Sequence, residues 1–492
     1  MSKAAHNIPP KRLSVEIRKT IALDAVANTI SSAARQHQVT NKTAARHRNK
    51  ALEAINQTFD KHNKKSDGHL FEIPVSKGYI KTIIVLLFII VKASVRDIIA
   101  FVKHAFDYDI SHGYISQVLD EATAKANQIN QGYDLSPCKT SATDELFHQN
   151  KPTLAAIDID SQFCMGLSSE EHRDEDTWGC FLLDLAQNGY HPEANVMDAG
   201  AGMTAAFNSI LPEISIRYDH FHILKDIKED LRLLKNKKES AMTEVIKVST
   251  KIDKARKKNK HQKYSVKLNS AKKSLEHLES IYQTFKTLTE WLQYDVLQLQ
   301  SINYQDRVKL FDFIVNELEA LSVQHPQRIK ALATKLANQK EKLLDAACTL
   351  NDKFKQIAMK HNIALETIWE ICNLGRFNIH SDNYHIKALS LEALLGENYD
   401  TIEDEILLAI ASVHRSSSLI ENFNNRLRSY LDPRKGFKKS RYALIQFALN
   451  HLPFERSIHE KLVGHSPAEV FTQTDHIDFL SLLDLQRFKK AA

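Results

Sequence analysis

The chain has no apolar run long enough to cross a bilayer. The longest, Ile83 to Val91, is nine residues between Lys81 and Lys92, where a span needs about 20; it reads as a buried helix. The opening MSKAAHNIPPKR lacks the apolar stretch of a signal peptide. Cysteine is scarce: five residues (138, 164, 180, 348 and 372) with no C-x-x-C pair. These absences argue for a cytoplasmic protein with reduced thiols and against a disulfide framework or a structural zinc site. At 43% hydrophobic and 26% charged the composition is globular, and 492 residues exceed a single ordinary core, so two to four domains are expected.

The net charge of +6 hides strong segregation. Residues 1–70 carry 13 Lys/Arg against 5 Asp/Glu (+8), and residues 225–275 carry 17 against 6 (+11). Between them, residues 142–198 carry 2 against 12 (−10). Basic blocks flanking an acidic one suit a protein that grips a polyanion and holds cations at its centre. Solvated helix faces would explain any single block equally well.

The passage TISSAARQHQVTNKTAARHRNKALEAI has helix-turn-helix spacing. A short helix near Ser31 to His37 precedes the turn Gln38-Val39-Thr40, with His37 standing where a turn glycine is usual. Thr40 or Asn41 then caps a second helix running to about Ile55. Lys42, Arg46, Arg48 and Lys50 on that helix could face phosphates or base edges in a major groove; a plain three-helix bundle is the alternative. SVRDIIAFVKHAF and DYDISHGYISQVLDEATAKANQI form a second helical unit, with Ser111 or Ser116 as cap. It could offer His112, Tyr114 and Gln117 to DNA, or simply pack.

From Ser141 the period changes to alternation. TSATDELF, TLAAIDID and FCMGL read as strands, DTWGCFLLDLAQNG as a helix ended by Gly189, ANVMD as a strand, TAAFNSI as a helix and SIRYDHFH as a fifth strand before a long helix near Ile223. The order is β-β-β-α-β-α-β-α. Residues 230–400 read as nearly all helical, with a Lys-rich hairpin turning around Asn259 to Gln262.

Acid residues are poor strand formers, so Asp144, Glu145, Asp158 and Asp160 need a reason to be where they are. Phosphodiester chemistry with two Mg²⁺ ions requires carboxylates from different elements converging on one spot. Asp198 ends a strand and precedes AGAG, which permits close approach of a backbone or phosphate. For its partner the strand count matters. Two strands must follow the first before the helix and Asp198, and this closes only if Asp144 marks strand one, 54 residues before Asp198 (198 − 144). Asp158 and Asp160 then alternate with Ile157 and Ile159, facing water or a basic neighbour; Asp158 stays as the alternative ligand. Glu145 points to the face opposite Asp144 in a regular strand. Ser418-Leu419-Ile420-Glu421 is a capping box, so Glu421 has a structural use as well.

Taken in order, TDELFHQNKPTLAAID, VMDAGAGMTAAF, YDHFHILKD, SSLIENFNNRLRSYLDPRKGF, LNHLPFERS and GHSPAEVF resemble DDE transposases of bacterial insertion sequences, over roughly 140–230 and 409–475. The resemblance implies an α+β multidomain, mostly helical protein. Its RNase H-like (integrase-like) core would have a five-stranded mixed sheet interrupted by a large all-helical insertion. It divides the chain into a helix-turn-helix domain (1–66), a second helical domain (67–135), the first part of the core (136–230), the insertion (231–408) and the last part of the core (409–492). It implies an acidic triad, Asp144, Asp198 and Glu421, the last in an S-x-x-E-x-x-N context, holding two Mg²⁺ with Mn²⁺ able to substitute. Asp219 and His222 would support the site, and Asn425, Arg426 and Arg428 suit scissile-strand phosphates. The implied chemistry is hydrolysis at the terminal inverted repeats, then attack of the freed 3′-hydroxyl on target DNA, without a covalent enzyme intermediate. It would be carried out by a dimer or higher oligomer on DNA, in a bacterial cytoplasm and associated with the nucleoid.

Three rival readings remain at this level: a helix-turn-helix DNA-binding regulator, an RNase H-like nuclease that hydrolyses without joining strands, and a decayed transposase. The −10 balance of the strand block argues against the first. Trp178 and Trp291 read as core residues, with base stacking an alternative for Trp291.

Overall fold

The computed structural model describes residues 13–60, 75–256, 262–323, 326–414, 418–434, 436–457 and 462–487. They fall into two compact units that divide after Val75.

The first unit holds three helices, α1 (Val15–Ala27), α2 (Ile30–Gln36) and α3 (Asn41–Asp60). Ser14 and Thr29 cap the first two, and Thr40 Oγ1 accepts from the Thr43 amide (3.2 Å) to start α3. Its core is small, Ile21, Ala34 and Ala44 with Leu13, Ile30 and Val39 against them. The small side chains let α2 cross α3 closely. The left-handed residue of the turn is Gln38 (φ 51°), not His37; His37 instead closes α2 and bonds Asp24 of α1 (2.5 Å).

The second unit opens with α4 (Lys77–Ile89), α5 (Val95–Phe106) and α6 (His112–Gln131), the last capped by Ser111. The sheet follows: β1 (Thr140–His148), β2 (Lys151–Asp158) and β3 (Cys164–Ser169) form an antiparallel meander. Then come α7 (Glu175–Ala186), β4 (Ala194–Met197), α8 (Ala201–Ile210) and β5 (Ser215–Tyr218). β4 lies parallel to β1, and β5 parallel to β4, giving the order β3-β2-β1-β4-β5. A mixed five-stranded sheet in this order, followed by a long helical excursion, is the RNase H-like architecture.

Both faces of the sheet are covered, which is why LAAI (residues 154–157) is continuously apolar. Leu154 and Ala156 face a core with Trp178, Leu182, Phe207 and the start of the insertion. Ala155 and Ile157 face a second core with Ile84, Phe88, Ile115 and Leu119. The helices expected as a separate domain therefore share a core with the sheet rather than owning one.

The insertion begins directly at the sheet. α9 (His220–Arg256) and α10 (Gln262–Trp291) pack as the expected arms, their connection lying outside the described residues. α11 (Tyr304–Ser322) and α12 (Pro326–His361) follow, then α13 (Leu365–Leu374), α14 (Asp382–Leu395) and α15 (Tyr399–Ala411), whose core is built on Phe354, Trp369 and Ile402. α12 runs over β5 and covers that edge of the sheet. Among the described residues Trp178 is fully buried, while Trp291 is 40% exposed and tilts against Phe313.

The chain returns through α16 (Ser418–Leu431), α17 (Tyr442–His451), α18 (Pro467–Thr472) and α19 (Phe479–Leu482). Ile420, Phe423 and Leu427 of α16 fill the second core. α17 protects the opposite edge: Asn450 accepts from the Cys164 amide (2.7 Å) and donates to its carbonyl (3.0 Å). Buried Asn450 thus satisfies backbone groups that an edge strand leaves unpaired. Arg434, from DPRKGF, donates to the carbonyls of Phe88 (2.8 Å) and Tyr430 (2.8 Å), fixing the turn after α16 to α4. Among the described residues no helix is long and apolar enough to cross a membrane.

Candidate active site on three parallel strands

The register of the parallel strands places the acids. Thr143 of β1 pairs with Met197 of β4, and Met197 with Tyr218 of β5. The next residue on each strand is an aspartate: Asp144, Asp198 and Asp219. Three aspartates thus stand side by side at one level of the backbone, on strands spaced about 4.8 Å apart. A buried polar network beneath them pins the register, since a slip would break it: Ser141 donates to Asn195 Oδ1 (2.8 Å), and Asn195 Nδ2 donates to Thr143 Oγ1 (2.8 Å).

Each carboxylate is oriented by its own contacts. Asp144 accepts from the Glu145 amide (2.8 Å) and from Asn424 Nδ2 (2.6 Å) on α16. Burial, helped by the charge of Asp198, raises its pKa to about 6, against the pull of its hydrogen bonds and of His222. Asp219 is 2% exposed and accepts from the Phe221 amide (3.0 Å), so it starts α9. The residues His220 to His222, expected at the tip of a strand, are therefore the first turn of a helix. That turn aims His222 Nδ1 at Asp198 and at Asp219 (3.2 Å). Bonded first to Asp198 and then to Asp219, the His222 imidazolium is held protonated up to about 10. Among the described residues, Asp198, Asp219 and His222 form the group whose potential ligand atoms lie within 4.8 Å of one another.

Glu421 lies on the first turn of α16, part-buried. Its pKa is raised by burial, then by the charge of Asp219, with Asp198 adding to it and His222 opposing. Glu421 thus feels the same charges as the aspartate row. The Asn424–Asp144 hydrogen bond joins its helix to β1. The side chain of Ser418, the other half of the expected capping box, lies outside the described residues.

A cleft of about 270 Å³ opens beside the row, bordered by Glu145, Arg173, Asp198, Asp219, His222 and Lys335. Glu145 borders this cleft and pairs with Arg173, while Asp144 reaches toward α16, as alternation along β1 requires. Arg173 also sits over the Phe147 ring at 5.4 Å. Its loop comes close because residue 202 is glycine: a Cβ there would be 2.5 Å from the Arg173 carbonyl oxygen. The close approach anticipated at AGAG is thus, at Gly202, by the protein's own backbone.

The other candidates separate clearly. Asp158 pairs with Ser141, three residues from Asp144 along β1, and so lies off the acidic row. It is buried rather than facing water, and accepts from the Ser161 amide (2.8 Å) and hydroxyl (2.5 Å). Asp160 meets a basic neighbour, His414 (3.1 Å). Arg426, expected at phosphates, turns inward to the Leu449 carbonyl (3.4 Å) and over Phe454, and burial lowers its pKa. Asn425 and Arg428 are exposed and bond each other (3.0 Å). On α3, Lys42, Arg46 and Lys50 share an exposed i, i+4, i+8 face, whereas Arg48 is part-buried. Sequence reasoning gave no role to Asn424 as a partner of Asp144; its only signal is lying three residues after Glu421, one helical turn on.

Residues 144–351 match the family model described as Transposase, a DDE type. No curated protein matches the chain. Among solved structures, the Drosophila P element transposase strand transfer complex is similar at 13% identity, covering 82% of this chain and 98% of that one, with a TM-score of 0.31. That likeness is too loose to bear on the site. The family match begins at Asp144 and takes in Asp198, Asp219, His222 and the insertion through α12 to Asn351. Over residues 144–351, which is less than half of its length, the chain is similar to the DDE-type transposases.

Proposed function

We propose that the protein binds the terminal inverted repeats of a mobile DNA element, cuts there in a divalent-metal-dependent reaction, and joins the cut end to target DNA. The observation that carries this is the aspartate row formed by mid-strand Asp144 of β1 and the residues that follow β4 and β5, with the Glu421 helix tied to it through Asn424 and Asp144.

The residues present fit a pair of hard divalent cations. Asp144 and Glu421 both have raised pKa values through burial and the charge of neighbouring acids, so the site carries more negative charge than His222 balances. Asp144, Asp198 and Glu421 would hold Mg²⁺ or Mn²⁺ through oxygen. Such ions, when bound, polarise the phosphate and activate the attacking oxygen. Asp219 fixes the turn that carries His222, and His222 bridges Asp198 and Asp219. Arg173 and Lys335 flank the cleft and attract the phosphate backbone. Lys42, Arg46 and Lys50 engage the repeat in a major groove, and Asn425 and Arg428 lie on the site's own helix for the scissile strand. Engaging two ends at once requires at least two copies on DNA.

The test uses the full chain, a duplex carrying the element's end, and a supercoiled target, with Mg²⁺, Mn²⁺ or EDTA. Metal-dependent 3′-end cleavage with joined product is the expected result. Binding without cleavage in either metal would make the protein a regulator, and cleavage without joining a nuclease; either outcome sinks the proposal.

A further inference from the structure

The chain leaves the sheet after β5 and comes back to it at α16, and one buried side chain touches both events. Arg217 of β5 is 5% exposed. Its Nε donates to Asp345 Oδ2 (2.8 Å) and its Nη2 to Thr349 Oγ1 (3.1 Å), both on α12. Its Nη1 donates to the carbonyl of His414 (3.3 Å), seven residues before Glu421. The ring of the same His414 meets Asp160 in the turn after β2 (3.1 Å). The returning chain is thus gripped at one residue from two sides, by the edge strand through its backbone and by the β2–β3 turn through its ring.

We propose that Arg217 is a positioning residue for the acidic site, coupling the docking of the insertion on β5 to the placement of Glu421. This rests on the reading above for the role of Glu421, but the placement itself is independent of it. The planar guanidinium suits the task, because its fixed fork serves three acceptors in different directions and an ammonium on a flexible stem does not. Arg217 also lies two residues before Asp219, so the strand that carries one end of the aspartate row also holds the segment that delivers the glutamate. An anchor for the insertion alone would need only Asp345 and Thr349.

The test separates anchoring from positioning in the full chain. The double variant Arg217→Met/Asp345→Leu removes a buried pair together, leaving no orphan charge, a change that usually preserves stability. Its thermal midpoint is expected near wild type. Amide exchange over Ile420 to Asn424 should nevertheless speed at least about 10-fold, and the Mn²⁺ concentration for half-saturation, read by electron paramagnetic resonance without DNA, should rise about 10-fold or more, the size seen when groups orienting a metal ligand are lost. Wild-type exchange and wild-type Mn²⁺ half-saturation in a stable double variant would overturn the proposal. If that variant is unstable, Arg217→Lys, which keeps the charge opposite Asp345, decides by the same two readouts. If wild-type protein binds no Mn²⁺, the metal-site reading falls by itself, and the exchange measurement alone decides the role of Arg217.

Discussion

Asp144 and Asp158 occupy neighbouring strands, both carry a carboxyl whose pKa is raised mainly by burial, and they differ in what satisfies them. Asp158 closes its own turn: the amide and hydroxyl of Ser161, three residues on, meet one of its oxygens. Asp144 takes one hydrogen bond from the next amide and one from a helix 280 residues away, and the charge of Asp198 still weighs on it. A buried acid with local partners is structural. A buried acid among other acids lacks a cation, and the missing charge has to come from outside the chain.

The sharpest way to break this contrast is to neutralise each acid. Asp144→Asn is expected to abolish metal-dependent cleavage, a loss of about 10³-fold or more, the scale of removing a group that stabilises charge in the transition state, while end binding survives. Asp158→Asn keeps an acceptor for Ser161 and should cleave like wild type. Cleavage retained in the first variant and lost in the second, measured on the same end duplex, would reverse the assignment.

How far the sequence led is visible in these two residues. The strand order was legible because alternation and turn residues are local, and counting strands favours Asp144 over Asp158. The burial of Asp158 was not legible, because alternation shows which residues share a face but not that helices cover both faces of the sheet. His222 was expected on a strand tip; Asp219 instead starts a helix there, and that turn aims the imidazole at Asp198. Asn424 was invisible as a partner of Asp144, as was Arg217 as a partner of Asp345, since such pairs join residues far apart in the chain. The inward turn of Arg426 belongs to the same class, set by Leu449 and Phe454 rather than by its own helix.

Acid titration of the metal-free protein gives the second test. The folded-state pKa of Asp144, about 6, lies above the unfolded value of about 3.9. The protonated form is therefore favoured by folding, and the stabilisation linked to it is fully present below about pH 4 and lost as pH rises through about 6. Two pKa units correspond to something on the order of 3 kcal/mol. Asp144→Asn should flatten the denaturation-midpoint profile in that window. A profile that keeps its fall between pH 4 and 6 in the variant would remove Asp144 as its source.

Asn424→Ala probes the link between the two elements at the site. It deletes the donor to Asp144 without touching a carboxylate, so turnover should fall about 10- to 100-fold, as when groups orienting a metal ligand are lost, with DNA affinity unchanged. Activity equal to wild type would mean that α16 is held in place without this bond, by its apolar face and by the bonds of Arg426 to the Leu449 carbonyl and of Tyr430 to the Ile89 carbonyl.

A contrast of exposure separates the cations of α3, with the smallest expected effects. Arg46 is exposed on α3, whereas part-buried Arg48 packs into its own unit. On the repeat duplex, Arg46→Ala should weaken binding by about 1–3 kcal/mol if it reads a base, or lower the salt slope by about 1 if it meets a phosphate. Arg48→Ala should change the slope less, because its side chain is part-buried within its own unit. Titrating both variants against the repeat and a scrambled duplex at several salt concentrations separates these outcomes. Equal affinity and slope for Arg46→Ala and wild type would move recognition off α3, leaving the pair Asn425 and Arg428 as the next group to test, because both are exposed on the first helical turns after Glu421.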